Sequence, residues 1–323
     1  MKTIRDIFAA VVGIGAFQLG LACAIAAVAA RGGRTDAKLD VLGHFAPFWL
    51  AGGLTAVLVA LAFRPWRLKL LLAAPGVVAV IAAASLVAPE YLRPMSPRAP
   101  ADAPGQIKLI QFNAFWRNGD PEGTARWIAD QDADVVVLEE SREDLVDAVL
   151  RRRPYHVSGW IGRNVILSRA KPVDTDIPWP RQGPLAVITR STFAKADGGF
   201  TVMGAHYAWP TDGELQSAQG QDIARVIAPF DKSRLIIAGD FNSTPWSFAR
   251  RREDRMFGLE RRTRGLATWP AKPFTPLGLP ALAPFLPIDH VYAGPAWRTV
   301  SVERGPRLGS DHYPVIVRLA LAD

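Results

Sequence analysis

A carboxylate and a carboxamide two residues apart, Asp240 and Asn242, close the stretch Ile236-Ile237-Ala238-Gly239-Asp240-Phe241-Asn242-Ser243-Thr244-Pro245. The apolar run before them is of strand type and stops in a Gly-Asp-x-Asn turn. Side chains two apart along extended chain point the same way, so both groups reach into one small volume at the strand's C-terminal end. A second short signal, Gly309-Ser310-Asp311-His312-Tyr313-Pro314, sets a carboxylate beside an imidazole and runs into a further apolar stretch. Carboxylates, a carboxamide and an imidazole gathered in turns are equipment for metal-assisted attack on a phosphorus ester.

The elements that must hold these groups alternate in kind. Strand-like runs cover 107–112, 134–138, 164–168, 185–190, 200–205, 235–238, 290–293 and 315–319, and helical patterning covers 122–131, 144–152 and 214–228. Mixed strands with helices between them predict an α/β domain of more than one layer. Polar groups recur where the strands end: Asn113, Glu140, His206, Asp240 with Asn242, Asp289, and Asp311 with His312. Asn and Asp are common turn formers, so any one of these is ordinary. Their recurrence at strand end after strand end is not, because strand ends of α/β sheets gather in one crevice.

Taken in order, Asn113, Val137-Leu138-Glu139-Glu140, Asn164-Val165-Ile166-Leu167-Ser168-Arg169, Ala205-His206, Gly239-Asp240-Phe241-Asn242, Ile288-Asp289-His290 and Ser310-Asp311-His312 resemble the endonuclease/exonuclease/phosphatase superfamily. Its members include deoxyribonuclease I, apurinic endonucleases, neutral sphingomyelinases and inositol polyphosphate 5-phosphatases. A membrane-anchored bacterial subgroup is similar too, including the Thr268-Trp269-Pro270 element. The resemblance spans 105–323 and implies a four-layer α/β sandwich, two packed mixed β-sheets flanked by helices.

It also implies roles. Glu140 would be the principal ligand of Mg²⁺, with Mn²⁺ as a substitute, since a hard cation takes carboxylate oxygens and keeps several waters. Asn113 and Asp311 would complete or support the metal set. Asp240 would orient or deprotonate the attacking water, and Asn242 would hold that water and a phosphoryl oxygen. His206 and His312 would face the charge that develops on phosphorus oxygens. Asp289 would hold the tautomer of His312. Glu139 stands where the family often has Gln and reads as a carboxylate behind the ligands or at the surface. His206 stands where apurinic endonucleases carry Tyr, and Phe115 where they carry an acid, which argues against abasic-site repair.

The N-terminal third has a different character. No charged residue interrupts 7–30, 41–63 or 70–89. Each approaches the ~20 apolar residues that cross a bilayer core, so three transmembrane helices are expected within 1–89. A cleaved signal peptide is the alternative for the first, but two more apolar runs follow it. The chain is +8 with an isoelectric point near 9.9. Residues 1–104 hold 10 Lys/Arg against 5 Asp/Glu, and 105–323 hold 28 against 25, so most of the excess flanks apolar segments, where it serves topology. The purely basic second loop places the N-terminus inside, hence the catalytic domain on the periplasmic side of the inner (cell) membrane. Cys23 lies inside the first apolar run, which leaves no disulfide framework and no thiolate metal site.

Residues 90–104 are rich in proline and read as an extended spacer. Seven arginines within 250–264 read as a solvated helical face or as phosphate contacts. The proline-punctuated apolar loop 270–287 either covers the core or dips toward the bilayer. The expected protein is a membrane-anchored, Mg²⁺-dependent phosphoric-ester hydrolase of phosphodiesterase type. Its expected partners are the lipid bilayer and a phosphate ester, either a phospholipid headgroup or nucleic acid; no obligate protein partner is readable. The alternatives are an extracytoplasmic nuclease and a catalytically idle, membrane-anchored binding protein.

Overall fold

The computed structural model describes residues 2–177, 187–194, 198–272 and 283–322. These form two compact units: Met1–Arg93 with Pro210–Glu214 and Trp246–Arg251, and the remainder from Pro94 onward.

In the first unit the helices are α1 (Lys2–Ala30), α2 (Ala37–Gly43), α3 (Ala46–Leu61) and α4 (Trp66–Leu92). Large apolar side chains such as Ile7, Phe8, Val11, Leu58 and Ile81 stay exposed on them, while the buried positions are mostly alanine and glycine. The helices meet at Gly20, Gly53 and Gly76. A Cβ on Gly53 would lie 2.9 Å from the Gly76 carbonyl oxygen, and one on Gly20 would lie 2.9 Å from the Gly76 nitrogen. Small residues at helix crossings with apolar side chains turned outward are the pattern of helices packed in lipid. α1 and α4 are long and apolar enough to cross a membrane. The expected second span is broken: α2 and α3 are bent by 56°, and only together do they make a third. Pro47 stands in the first turn of α3, just after the break, and ahead of it the two oxygens of Asp40 accept the N–H groups of Phe248 and Ala249, each at 2.8 Å.

Residues 90–92 belong to α4 rather than to the spacer, and Glu90 pairs with Arg93 there at 3.0 Å. The proline segment is held by main-chain hydrogen bonds: Thr299 donates its N–H to the Pro97 carbonyl and Ala99 donates to that of Thr299.

The second unit carries β1 (Gln106–Asn113), α5 (Pro121–Asp130), β2 (Val135–Glu139), α6 (Glu143–Arg152), β3 (His156–Trp160), β4 (Asn164–Ser168), β5 (Asp174–Asp176), β6 (Val187–Phe193), β7 (Phe200–His206), α7 (Gly213–Ile227), β8 (Leu235–Asp240), α8 (Phe248–Phe257), β9 (Glu260–Arg261), β10 (Asp289–Ala293), β11 (Trp297–Arg304) and β12 (Val315–Leu321). One sheet runs β11-β12-β1-β2-β4-β3 and the other β5-β6-β7-β8-β10-β9. The pairs β1–β2 and β7–β8 are parallel, and the other neighbours are antiparallel.

Alternation along each strand builds the layers. Leu109, Val137, Val202, Ile236 and Val291 fill the space between the sheets. Ile110, Val136 and Leu138 face the other way, onto Ile128, Leu145 and Val149 of α5 and α6. Met203, Ile237 and Tyr292 lie on the outer face of the second sheet with Ile223, Ile227 and Phe257. The result is a four-layer α/β sandwich, helix, sheet, sheet, helix. α5 starts where Asp120 accepts the Gly123 N–H at 2.9 Å with Pro121 at its first position. α6 has Glu143 and Asp144 in its first turn and Arg151 and Arg152 in its last, in accord with the helix dipole.

The arginine segment is a solvated face only in part: Arg255 is exposed, whereas Arg250, Arg261 and Arg262 are buried. Arg261 pairs with Asp254 at 3.0 Å, and Arg262 pairs with Glu260 and caps the carbonyls of Ala293, Gly294 and Trp297. The centre of the apolar loop, 273–282, lies outside the described residues; its two flanks pair through Trp269 and Leu286.

Candidate active site

The parity that fills the core also delivers the site. In β1 the inward positions Ile107 and Leu109 are followed by Gln111 and Asn113; in β8, Ile236 and Ala238 are followed by Asp240. The same count brings Glu139 in from β2, His206 from β7 and Asp289 from β10. The inter-sheet layer thus changes from apolar to polar at one end. Strand pairing sets the neighbours: Asp240 is in register with His206 on one side and Asp289 on the other, and Asn113 with Glu139.

The groups converge. Asn113 Nδ2 donates to Glu140 Oε1 at 3.1 Å and to Asp240 Oδ2 at 3.0 Å. His206 Nε2 lies 3.5 Å from Glu140 Oε1 and 3.9 Å from Asp240 Oδ2. His312 Nε2 lies 3.7 Å from Asp240 Oδ2, and its Nδ1 lies 2.8 Å from Asp289 Oδ2. The backbone is shaped to suit: Glu140 has φ 49° and Asn242 has φ 47°. Each turns out of its strand in the left-handed region, which costs a non-glycine residue roughly 1–2 kcal/mol.

Two carboxamides are committed in ways the sequence does not reveal. Asn113 Oδ1 accepts the Phe115 N–H at 3.0 Å, so toward the carboxylates it shows a donor and braces them. Asn242 gives one amide hydrogen to the Tyr207 carbonyl at 3.0 Å, while its N–H fixes Asp240 Oδ1 at 2.8 Å. Ser310 ties the last turn to the first strand, donating to the Asn113 carbonyl at 2.7 Å and accepting the His312 N–H at 3.0 Å.

Charge is distributed by burial. Burial alone would lower the His312 pKa, but the carboxylates of Asp289 and Asp240 outweigh it and push it up to about 10. Burial raises Asp240 to about 7, against the pull of His312 and the N–H of Asn242. Burial holds His206 below the usual imidazole range, partly opposed by Glu140. Burial, with the nearby Asp289, keeps the Glu139 carboxyl well above the carboxylate range. The site at neutral pH is therefore a neutral His206 and an imidazolium at His312.

A raised pKa means the folded chain holds the proton more tightly, so that stability is present below the unfolded pKa and is lost as pH rises through the folded one. For His312 the window runs from the ordinary imidazole value of 6.5 to about 10. The melting temperature of the chelator-treated full chain in detergent is expected to fall between about pH 7 and pH 9. His312→Gln should flatten that slope; a wild-type curve that rises over this range contradicts the assignment.

Oxygens of Asp240 and Asp289 and a ring nitrogen of His312 lie within 4.8 Å of one another, a spacing that could hold a cation. His312 lies between the two acids, its Nδ1 2.8 Å from Asp289 Oδ2 and its Nε2 3.7 Å from Asp240 Oδ2. Glu140, whose side chain is 24 % exposed, is the carboxylate that faces out of the cluster. Asp311 Oδ1 is buried with no hydrogen-bond partner. Two carboxylates of this kind suit a hard divalent ion.

A family model described as the endonuclease/exonuclease/phosphatase family matches residues 110–312. The chain belongs to this family. An endonuclease/exonuclease/phosphatase from Bacteroides vulgatus has the same fold at a TM-score of 0.55 and 18 % identity, covering 67 % of this chain and 99 % of that one. A functionally unknown conserved protein from Enterococcus faecalis V583 gives 0.55 and 16 %, covering 67 % and 100 %. D. rerio TDP2 complexed with single strand DNA product gives 0.54 and 16 %, covering 66 % and 98 %. No curated protein sequence matches the chain.

Among the family-motif residues, Asn113, Glu140, His206, Asp240, Asp289 and His312 come together through the contacts above; Asn242 joins through the Asp240 turn. Asp311 occupies the same turn as His312, and Ala271 donates its N–H to the Asp311 carbonyl at 2.7 Å. Glu139 is fully buried rather than at the surface, and accepts from Gln111 Nε2 at 2.9 Å. Gln111 was not singled out in the sequence, yet it also donates to Asp289 Oδ1 at 2.8 Å. Its position two residues before Asn113 was the available signal. His290 is a packing residue, with Thr263 Oγ1 at 3.1 Å and the Ser243 carbonyl at 2.9 Å. A cleft of about 800 Å³ opens beside Glu140, with Trp116 and Trp160 among its walls.

Proposed function

We propose that the protein is a membrane-anchored, Mg²⁺-dependent phosphoric-ester hydrolase of phosphodiesterase type. Family membership supports hydrolysis at phosphorus, and the complex of D. rerio TDP2 with single strand DNA product supports a diester. The observation that carries the reading is Asn113 Nδ2 bridging Glu140 and Asp240, with His206 within 4 Å of both bridged oxygens and His312 within 4 Å of that of Asp240.

Glu140 and Asp311 would hold the ion, braced by Asn113; when bound, Mg²⁺ neutralises phosphoryl oxygens and raises the electrophilicity of phosphorus. The remaining chemistry belongs to the side chains. Asp240, poised at about 7 by burial, accepts the proton of the attacking water and aims its oxygen. Asn242 fixes Asp240 through its backbone N–H and presents its amide to the same water. His312, held charged by Asp289, points Nε2–H toward the volume in which phosphoryl charge grows. Neutral His206 supplies a second donor from the other side.

The full chain in detergent, offered DNA, RNA, phospholipid and nucleotide esters, should hydrolyse at least one class only with Mg²⁺ or Mn²⁺. Glu140→Gln should lower kcat by about 10³-fold or more. Hydrolysis that survives a chelator rules out the metal mechanism.

α1 and α4 support anchoring, and the basic loop between α3 and α4 supports a periplasmic catalytic domain at the inner membrane. A phosphatase reporter joined after the C-terminus is expected to be active and a fluorescent cytoplasmic reporter dark. The opposite pattern reverses the topology.

A further inference from the structure

The end of α1 carries cations that crossing a bilayer does not require. The helix runs straight into a 3-10 turn, Arg31-Gly32-Gly33-Arg34. Three residues per turn put Arg31 and Arg34 on one side of it. The glycines between them let α2 close in: a Cβ on Gly33 would lie 2.6 Å from the Asp40 Cα. Arg31 is tethered to α4, donating from Nη1 to Ser85 Oγ, and Ser85 donates in turn to the Ala82 carbonyl at 2.7 Å. The tether aims the guanidinium and leaves the rest of its fork for an acceptor. The Arg34 side chain is exposed and has no partner among the described residues. The acids of the same loop are engaged elsewhere. Asp36 accepts the Lys38 N–H at 2.9 Å, and Asp40 is committed to Phe248 and Ala249.

One turn deeper the surface becomes apolar. Val28, three residues before Arg31 on α1, is 52 % exposed, and Ile81, four residues before Ser85 on α4, is 65 % exposed. The two helices pack on each other through Ala27, Ala82 and Ala83, so Val28 and Ile81 continue the line that Arg31 and Ser85 begin. Paired guanidiniums above an exposed apolar seam match a molecule with a phosphate at one end and acyl chains at the other. A zwitterionic headgroup brings an ammonium that these cations repel, whereas an anionic headgroup does not. On the proposed topology this end lies on the outer side, where the positive-inside rule gives its arginines no task.

We propose that this turn and seam bind an anionic phospholipid, its phosphate held by Arg31 and Arg34, as a resident lipid of the helix unit and not as a substrate. The proposal rests on the membrane-anchored reading and on no part of the catalytic one.

The full chain is purified in detergent micelles carrying phosphatidylglycerol or phosphatidylcholine of equal acyl chains. Bound lipid is counted by native mass spectrometry, and melting temperature is read on the same samples. Wild type should retain phosphatidylglycerol and melt higher with it than with phosphatidylcholine. Arg31→Gln combined with Arg34→Gln should weaken phosphatidylglycerol binding about tenfold or more and erase the melting difference. Arg34→Gln alone disturbs no packing, so it should fold as wild type does and lose part of the preference; an unchanged preference in it overturns the site. Arg67→Gln combined with Lys69→Gln, at the other end of α4, should keep the preference whole. Equal binding of both lipids by wild type, or equal losses in the two double variants, also overturns the site. So does inorganic phosphate that reproduces the melting shift in phosphatidylcholine micelles, since the ligand is then a free anion. Carbonate extraction separates the anchor from the site. A chain that stays in membranes without a lipid preference keeps the anchor and loses the site, and a chain released by carbonate loses both.

Discussion

Exchanging Asp240 for Asn is expected to lower kcat by about 10²–10⁴-fold, with a melting temperature within a few degrees of wild type. The first half follows from the role: Asn cannot take a proton from water, and Asp240 is the carboxylate that lies within 4 Å of both imidazoles. The second half follows from burial. Asp240 is 1 % exposed, and burial raises its pKa to about 7, so its charged form is costly where it sits. Asn keeps an acceptor for the Asn242 N–H but sets an amide against Asn113 Nδ2, and the relief and the new clash roughly offset. Hydrolysis assays and thermal melts on the same preparation test both halves. A variant of wild-type activity would move the base elsewhere; a collapsed melting temperature would make Asp240 chiefly structural.

Asp289→Ala is expected to destabilise by about 3–5 kcal/mol as well as to remove activity. Asp289 is fully buried, 2.8 Å from His312 Nδ1 and 2.8 Å from Gln111 Nε2. Its removal strands a buried imidazolium and a buried amide at once, and unpaired buried partners cost more than the pair contributed. His312→Gln in the Asp289→Ala background should recover part of the loss, because the stranded charge is gone. A double-mutant cycle read by denaturant unfolding in detergent supplies the number. Additive single effects would show that the two side chains do not act as a pair.

Much of this site was legible from parity and order. Strand ends read from the apolar runs 107–112 and 235–238 mark Asn113 and Asp240, and the period of two along β1 marks Gln111 as sharing the face of Asn113. What stayed hidden depends on partners far along the chain. β3 and β11 were missed because their sequences, His-Val-Ser-Gly-Trp and Trp-Arg-Thr-Val-Ser-Val-Glu-Arg, mix polar and apolar residues as sheet-edge strands do. The arginines of 250–264 looked solvated because nothing local reveals that Arg262 caps carbonyls at 293, 294 and 297. Asp40 looked like a loop charge because the N–H groups it accepts are more than two hundred residues away.

The left-handed turn at Glu140 means that this protein carries a standing conflict between durability and chemistry. Glycine would sit at φ 49° without the strain that glutamate bears there. Selection for heat resistance alone would favour glycine there, and on the proposed role of Glu140 it would remove a metal ligand. On that role, a strained non-glycine residue at this turn offers a way to tell working members of such a fold from retired ones by backbone angle and residue type together.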